Sequence, residues 1–496
     1  MITKQLSHLY VEHIFGGKKI FSLCLMGSLV IMSGIRSVEA DWIISPSIGI
    51  EQVYSDNAFL TSTDEVSEYI TVVRPAISLY NEGRRGRLDI NYAPEYRYYR
   101  EDTEDSEVVH FLRSEGNLEI AKNHLFLDGW LRGDRTNLIN TGRTSVSGLT
   151  GTSDDTDYYS AGISPYFTSN LGEYVVAELR FTGDKVEYSE DVENDSKGMR
   201  GDLVFGSGSR FTNQVWEVFF QQSEVDYEDI DDSNETKIVR AELIQEMTRR
   251  WSLAFSVGYE EYILAVADDR DDATWSVGVI YSPNSRFRVS LGVGERSFGD
   301  DYYFDLINQT SRTTLSARYT REFISARDEI TAQPLFERQD DFGNLVRDPI
   351  LESASGIIRT ASSPTIAEDY YELTRFATSF TYHLMRSAIR LRAIYYCRDY
   401  EDPFMDTQDT DLSLSFSRRL TRLLNGSIDI AGLYHRQNWL DYDQWATSLN
   451  FAYQIGNQSN LTLNLTHLDR DAKTEPYALE ESYEENQASI GFVMQF

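Results

Sequence analysis

The sequence is poor in cysteine and proline. Its 496 residues include only 2 Cys and 10 Pro. Cys24 lies in an N-terminal segment that we expect to be removed, which would leave Cys397 alone and exclude an internal disulfide in the mature chain. We expect this single thiol to have a structural place on a strand. The scarcity of proline suits long hydrogen-bonded strands, because proline cannot donate to a β-ladder.

Beyond its N-terminus the sequence lacks an apolar run long enough for a membrane helix, and it also lacks a basic patch. Mean hydropathy is -0.41, and 25% of the residues are charged, so a helical membrane protein is excluded. Acidic residues outnumber basic ones by 79 to 46, for a formal net charge of -33. A surface that binds nucleic acid must neutralise phosphates with Lys and Arg. We therefore expect no nucleic-acid partner.

The N-terminus has the pattern of a signal peptide. Lysines precede the apolar run Ile20–Met32, and Val38–Ala40 forms a small-x-small cleavage signal. The pattern predicts a signal peptide over 1–40, with Asp41 as the first mature residue. The residue before Cys24 is the bulky Leu23, which does not fit a lipoprotein signal. We expect the chain to be exported and not lipid-anchored.

Apolar and polar residues alternate from Trp42 to the end, in a chain that contains 31 Tyr and 25 Phe. In Leu461–Thr466, for example, leucines alternate with Thr and Asn. The closing stretch, Ala488–Phe496, places Phe492, Met494 and Phe496 on one face. Strict alternation is typical of strands with one apolar and one polar face.

The length of these stretches indicates where the strands lie. A propeller or solenoid, the soluble all-β alternative, uses strands of about five or six residues that bury their apolar face. Here the stretches run to about nine to twelve residues, the length that a tilted membrane strand needs. The pattern predicts an all-β, transmembrane antiparallel up-and-down β-barrel over 41–496, in the outer membrane of a Gram-negative cell.

The connections alternate between short turns and long acidic loops. Short turns are predicted at Asn81–Arg87, Ala121–His124, Ser169–Gly172, Thr248–Arg250, Ser282–Ser285, Met385–Ser387 and Gly456–Ser459. Long connections are predicted at Tyr54–Glu68, Arg132–Asp157, Asp184–Ser196, Val225–Glu235, Ala265–Asp272, Arg398–Gln408 and Asp469–Glu484. In outer-membrane barrels the short turns face the periplasm. The acidic loops should therefore face outward.

The strand count predicts one concealed crossing. About 21 clear strands can be assigned, and a bacterial barrel of this type needs an even number, so we predict about 22, within roughly 16 to 24. The strands near Thr313–Tyr319 and Leu373–Tyr382 are both predicted to run toward the periplasm. One further strand is therefore expected in the irregular segment 322–369, near Ile350–Thr360. Such a wide lumen needs a plug or water, and Glu322–Pro364 is the candidate for a partial plug.

No motif for a metal, nucleotide or other cofactor is present, and we expect none. The acidic runs Asp226–Glu235 and Asp268–Asp272 lack the glycine and spacing of an EF-hand. They are either solvated loops or loose binders of divalent ions at the lipopolysaccharide surface. An outer-membrane hydrolase is the enzymatic alternative, but the mature histidines are scattered without a local Ser or Asp signature. These are His110, His124, His383, His435 and His467.

Charged residues in the middle of strands mark the predicted lumen. The candidate lumen-lining residues are Glu95, Arg97, Arg113, Arg180, Arg288, Arg390, Arg392 and Arg398. Arg390 and Arg392 alternate with Ile389 and Leu391, which are predicted to face lipid. Rows of opposed charge select solutes in pores. The same charges could instead pair across strands and stiffen the wall, and the sequence leaves both interpretations open.

Three short motifs give a family resemblance. They are Tyr54–Leu60 (YSDNAFL), Arg296–Gly299 (RSFG) followed by Tyr303, and Ser311–Thr314 (SRTT). With these motifs the mature chain resembles the outer-membrane β-barrels associated with the PEP-CTERM and exosortase sorting system. The segment 323–368 matches poorly. The resemblance implies a bacterium that makes extracellular polysaccharide and sorts proteins to its surface, and it implies neither a reaction nor site residues.

These observations predict a non-enzymatic barrel, either a porin-like pore or an export-associated component for extracellular polysaccharide. A non-conducting structural or adhesive surface barrel is the alternative, and a hydrolase is the third candidate. The expected partners are outer-membrane lipid and lipopolysaccharide, the barrel assembly machinery and components of polysaccharide export.

The first testable prediction concerns export and assembly. N-terminal sequencing of the mature protein should show cleavage after Ala40. Deletion of Phe496 should lower the amount of barrel in the outer membrane, because Phe492, Met494 and Phe496 resemble the terminal signal that the assembly machinery reads. Unchanged outer-membrane levels after the deletion would contradict this assignment.

Overall fold

The structure is a computed structural model that describes residues 42–137, 143, 145–151, 155–189, 195–228, 232–265, 267–331, 370–474 and 482–496. The predicted signal peptide, 1–40, lies outside these residues. So do the predicted strand at Ile350–Thr360 and most of the predicted plug. Among the described residues, no helix combines the length and the apolar character needed to span a membrane.

Within these ranges the chain forms 22 strands and one short helix. The strands are β1 Trp42–Ser55, β2 Glu68–Gly83, β3 Gly86–Tyr99, β4 Glu107–Ala121, β5 Leu125–Asn137, β6 Asp155–Leu171, β7 Val175–Tyr188, β8 Ser196–Ser207, β9 Gln214–Tyr227, β10 Ser233–Thr248, β11 Trp251–Ile263, β12 Arg270–Asn284, β13 Phe287–Arg296, β14 Gly299–Gln309, β15 Thr313–Ser325, β16 Tyr370–His383, β17 Ser387–Tyr400, β18 Thr407–Arg419, β19 Leu424–Gln437, β20 Tyr442–Gln454, β21 Ser459–Ala472 and β22 Tyr483–Gln495. The helix, α1, spans Ala326–Thr331 and follows β15.

Every strand pairs antiparallel with the next, and the last strand pairs with the first. The closing ladder of β1 and β22 runs from Ser47 opposite Gln495 to Ser55 opposite Gln487. The sheet is therefore a closed up-and-down barrel of 22 strands, as the sequence predicts. Closure removes the open sheet edges that lipid cannot satisfy.

The two faces of the wall differ as the period of two requires. On β18, the outward Leu412 and Leu414 are each 40% exposed, whereas the inward Asp409 and Asp411 are buried. The same alternation on β17 turns Leu391 outward, as predicted. Lipid offers no hydrogen-bond partners to unpaired backbone groups, so strands cross a membrane only as a closed barrel with an apolar outer band. This chain is an outer-membrane β-barrel.

Strands extend further than their alternation predicts. They contain from 10 residues in β13 to 17 in β6, against the predicted nine to twelve. The extra residues come from the acidic connections, since Asp184 and Glu187 belong to β7, for example. Backbone pairing therefore continues beyond the apolar part of these strands into residues with polar side chains. All seven predicted short turns lie at one end of the barrel, and that end also contains three further turns at 208–213, 310–312 and 420–423.

The prediction for the strand near Thr313–Tyr319 was wrong. Gly299–Gln309 forms β14, and only Ser297 and Phe298 separate it from β13. β15 therefore runs outward, and it pairs directly with β16 from Thr313 opposite Tyr382 to Ser325 opposite Tyr370. The even strand number is reached without a crossing in 322–369. The irregular segment also begins later than predicted, because β15 ends at Ser325.

The second prediction tests the facing of β17. Replacement of Leu391 by Arg should impair assembly, because a cationic side chain on the lipid face near mid-membrane costs about 2–4 kcal/mol. Leu391→Val is the control, since it keeps an apolar side chain at the same place. Folding can be measured by the heat-dependent mobility of the barrel in gels. Normal folding of Leu391→Arg would show that the side chain does not face lipid.

Candidate functional site

A ladder of alternating charge follows the inner wall from β2 to β6. Its members, in order, are Arg74, Glu95, Arg97, Glu107, Arg135 and Asp157. The Nε atom of Arg97 lies 2.7 Å from Oε1 of Glu95, and both side chains are buried. Arg135 bridges Glu107 and Asp157, each at 2.7 Å. These ion pairs connect neighbouring strands, and they involve the predicted lumen residues Glu95 and Arg97.

The other predicted lumen residues are distributed along the wall. Arg180 of β7 binds Asp128 of β5 at 2.8 Å, and its guanidinium lies 3.9 Å from the centre of the Tyr166 ring. Arg113 lies 2.9 Å from Glu115 on the same strand. Arg288, near the periplasmic end of β13, is exposed. The predicted residues are thus inward-facing, but the structure does not bring them together into one site.

The RSFG motif surrounds a buried carboxylate that the sequence did not single out. Glu260 on β11 is 0% exposed. It accepts hydrogen bonds from Arg240 at 2.9 Å, from Arg296 at 2.8 Å and from Ser297 at 3.2 Å. Two guanidinium groups thereby share one carboxylate across β10, β11 and β13. Only a register that spans three strands reveals this centre.

Tyr303, which follows the RSFG motif, covers two glycines of the inner wall. A Cβ atom at Gly278 would lie 1.8 Å from the Tyr303 hydroxyl oxygen, and one at Gly292 would lie 2.0 Å from Tyr303 Cε1. The ring therefore lies flat on the wall, where only glycine leaves room for it. The SRTT motif belongs to the turn between β14 and β15, where the Thr313 amide donates to the Thr310 hydroxyl at 2.9 Å.

The YSDNAFL motif fastens the seam between β1 and β22. The Asn486 amide donates to Asp56 Oδ1 at 2.7 Å, and the Asn57 side chain donates to the Glu484 carbonyl at 2.9 Å. The Ser55 hydroxyl donates to the buried Glu485 at 2.7 Å. The motif therefore holds the two terminal strands together at the outer end of the barrel.

The connection between β5 and β6 folds back onto this seam. Thr150 donates to Glu485 at 2.7 Å, and the Tyr99 hydroxyl donates to the Leu149 carbonyl at 3.0 Å. Gly151 has a φ of 65°, and a Cβ atom there would lie 2.4 Å from Leu60 Cδ1. A larger residue at 151 would lose both the left-handed backbone and this close packing. The seam is therefore capped from inside.

A second buried network connects α1 to the wall. Arg398 is 0% exposed and bonds Glu329 of α1 at 2.7 Å and Asp409 at 2.9 Å. Burial alone would raise the pKa of Glu329, but the Arg398 guanidinium and its hydrogen bonds hold this pKa below its ordinary value. Asp409 in turn lies 2.6 Å from Nδ1 of His435. Arg398 is thus a structural anchor for α1.

Arg390 and Arg392 face inward on the same strand, as predicted. Arg390 is 6% exposed, and Arg392 is partly buried. Neither side chain lines the cavity of about 780 Å³ described below. Their position therefore supports an inward face on β17, away from the cavity that Trp130 and its neighbours line.

The end of β15 and α1 form a lid over the lumen. The hairpin of β13 and β14 is short, and Phe323 of β15 packs over its tip, with ring centroids 6.5 Å from Phe298 and 5.0 Å from Tyr262 of β11. Arg327 of α1 then donates to Ser196 of β8 at 2.7 Å and forms an ion pair with Asp184 of β7. The lid therefore connects β15 with β7 and β8, which β9 to β14 separate along the barrel wall.

Beneath this lid lies a cavity of about 780 Å³. Its lining extends from Arg87, beside the turn between β2 and β3, to Arg327 of the lid. Asp128, Trp130 and Gln221 lie between them. Arginines and carboxylates line the cavity in similar numbers, and four aromatic side chains interrupt them. A volume in this range accommodates a small organic ligand.

The histidines have structural partners. The His110 ring lies 2.9 Å from the Tyr92 hydroxyl, and the His435 ring stacks on Tyr442 at 4.8 Å. Within the described ranges, no hydrogen bond joins any of the five mature histidines to a serine hydroxyl. In the same ranges, no group of three His, Cys, Asp or Glu side chains is placed to hold a metal ion.

Comparison with solved structures identifies the fold. The siderophore receptor PirA from Acinetobacter baumannii shares 8% identity with a TM-score of 0.50, over 93% of this chain and 81% of that one. The ferric-catecholate import receptor Fiu from E. coli K12 shares 10% identity with a TM-score of 0.51, over 92% and 82%. The FrpB iron transporter from Neisseria meningitidis shares 9% with a TM-score of 0.51, over 94% and 82%. No protein-family model matches the chain, and no curated protein matches its sequence.

The third prediction concerns the buried centre of the RSFG motif. Glu260→Ala should destabilise the barrel by about 1–3 kcal/mol, because it removes a fully buried carboxylate that accepts hydrogen bonds from two partly buried guanidinium groups. Glu261→Ala is the matched control, since Glu261 forms a surface pair with Lys237 at 3.0 Å and such exposed pairs contribute little to stability. Urea unfolding followed by tryptophan fluorescence measures both. Equal effects of the two changes would contradict the assignment.

Proposed function

We propose that this barrel is a porin-like channel for hydrophilic solutes. The observation that carries the proposal is the polar cavity that runs along the inner faces of β3 to β11, from the periplasmic end to the lid. Fixed charges of both signs along such a wall set a transverse field that selects solutes. The lid then acts as the gate at the outer end.

The charge of the cavity bears on the kind of solute. The solved barrels of similar fold include a siderophore receptor and a ferric-catecholate import receptor, and ferric catecholates are anionic. The cavity here contains about as many carboxylates as arginines, so it offers an anion no net attraction. An uncharged hydrophilic solute fits the lining better.

The resemblance of YSDNAFL, RSFG and SRTT to barrels of the PEP-CTERM and exosortase system supports a cellular setting for this channel. We place it in a bacterium that makes extracellular polysaccharide, beside components of polysaccharide export. Lipopolysaccharide and the barrel assembly machinery are its proposed partners in the membrane. A gene neighbourhood with exosortase and polysaccharide-export genes would support this setting, and one without them would count against it.

A non-conducting structural or adhesive barrel is the second candidate. The observation in its favour is the buried network of Arg398, Asp409 and His435, each 0% exposed, which packs side chains closely against the inner face of β17 to β19. Both candidates are non-enzymatic, and the solved barrels of similar fold are described as receptors or transporters. Conductance separates the two candidates.

The fourth prediction tests the channel and its gate together. The purified barrel should conduct ions in planar lipid bilayers. Arg327→Ala should raise the conductance severalfold, because it removes the bonds from the lid to Asp184 and Ser196. Arg100→Ala is the control, because the Arg100 side chain is 66% exposed and its partners, Glu101 at 3.6 Å and the Tyr69 ring at 5.7 Å, do not belong to the lid.

Three outcomes of this experiment are informative. Conductance in the unaltered barrel that rises only in Arg327→Ala supports a gated channel. If Arg327→Ala and the unaltered barrel conduct equally, the lid is not the gate. If neither the unaltered barrel nor Arg327→Ala conducts ions, the structural barrel is favoured.

A further inference from the structure

The cavity contains one aromatic side chain placed as a platform. Trp130 of β5 lines the cavity and stands opposite Gly162 of β6 in the ladder. A Cβ atom at 162 would lie 2.2 Å from Trp130 Cζ2 and 2.4 Å from Cη2. The indole therefore lies flat on the backbone of Gly162, and its other face is turned toward the cavity.

Hydrogen-bonding side chains surround this platform. Glu115 of β4 stands directly opposite Trp130, at the separation of about 5 Å that neighbouring strands impose. Asp128 and Arg132 precede and follow the indole on the same face of β5, and all of these groups line the cavity. Ser160 occupies the corresponding place on β6.

Arginines orient the carboxylates of Glu115 and Asp128, and each carboxylate can still accept hydrogen bonds from further donors. Arg113 bonds one oxygen of Glu115 at 2.9 Å, and Arg180 bonds one oxygen of Asp128 at 2.8 Å. A carboxylate has about four acceptor positions, so both groups retain capacity for ligand hydroxyls. The platform thus combines an apolar face with acceptors from Glu115 and Asp128 and donors from Arg132.

A pyranose ring has the complementary chemistry, because its C–H face packs on an aromatic ring while its hydroxyls donate and accept at the edge. We propose that Trp130, Glu115, Asp128 and Arg132 form a binding site for a neutral oligosaccharide inside the barrel. The balanced charge of the lining excludes net attraction of an anion. The volume of about 780 Å³ suits an oligosaccharide of a few residues.

This inference rests on the proposed function for its biological meaning, because a sugar site within a channel would hold the solute on its way through. It can nevertheless be tested without conductance. The barrel is purified in a detergent without a sugar headgroup, such as an amine oxide, since a glycosidic detergent would compete for the site. Binding of neutral trisaccharides of glucose, galactose and mannose is then measured by isothermal titration calorimetry.

The variants isolate the platform. Trp130→Ala should weaken trisaccharide binding about tenfold or more, as truncation of an aromatic anchor in a pocket does, whereas Trp130→Phe should retain part of the affinity. Gly162→Val should also weaken it, because the new side chain displaces the indole. Trp275→Ala is the matched control, since Trp275 is 45% exposed on the outer face of β12. Heat-dependent gel mobility confirms that each variant is folded.

Binding of a neutral trisaccharide that depends on Trp130 supports the site. Absence of binding for every neutral trisaccharide, or equal affinity in Trp130→Ala, overturns it. Binding of trigalacturonate or of a ferric catecholate in place of neutral sugars overturns the ligand class. If the barrel binds sugar but does not conduct ions, the channel proposal fails and the sugar site stands. If it conducts ions but binds no sugar, the sugar site fails and the channel proposal stands.

Discussion

The hydrogen-bonding demand of the backbone in lipid governs this structure. Each unpaired N–H or C=O group in the hydrocarbon region costs several kcal/mol, so a chain of strands must close on itself. The closing ladder of β1 and β22 is therefore the element on which the other ladders depend. Side-chain hydrogen bonds of Asp56, Asn57 and Glu485 add to the backbone pairs of this ladder.

Closure in turn sets the chemistry of the interior. Once lipid fixes the outer face, a period of two delivers every intervening side chain to the lumen, and charged groups there must find partners within reach. The ladder from Arg74 to Asp157 and the centre at Glu260 are two solutions to that demand. A lumen formed by 22 strands is too wide for side chains alone to fill. The connection at 145–151, the end of β15 and α1 therefore fold inward.

Much of the fold could be predicted from local pattern. Alternation along Leu461–Thr466 and Ala488–Phe496 gives strand identity, facing and the short turns, because lipid imposes the pattern residue by residue. β14 escaped notice because its hairpin with β13 turns in two residues, with Gly299 at a φ of 97°, and lacks the acidic loop that marks its neighbours. Gly299 is the residue in the sequence that could have indicated this tight hairpin.

The site was less predictable than the fold. Inward facing of Arg390 and Arg398 follows from the period of two, but Arg398 meets Glu329 and Asp409 through a lid and a neighbouring strand, and sequence spacing does not encode such pairs. Trp130 reads in the sequence as one aromatic among many. Only the register that sets it opposite Gly162 and Glu115 shows that its ring lies against bare backbone with polar groups around it.

The lid also has a mechanical consequence. A cylinder with a wall one strand thick resists stretching far better than it resists flattening. α1 carries Arg327, fixed to β7 and β8, and Glu329, fixed to β17. These bonds make the helix a crossbeam between distant parts of the wall, so the width of the mouth is held by side chains of α1 as well as by the shear of the sheet.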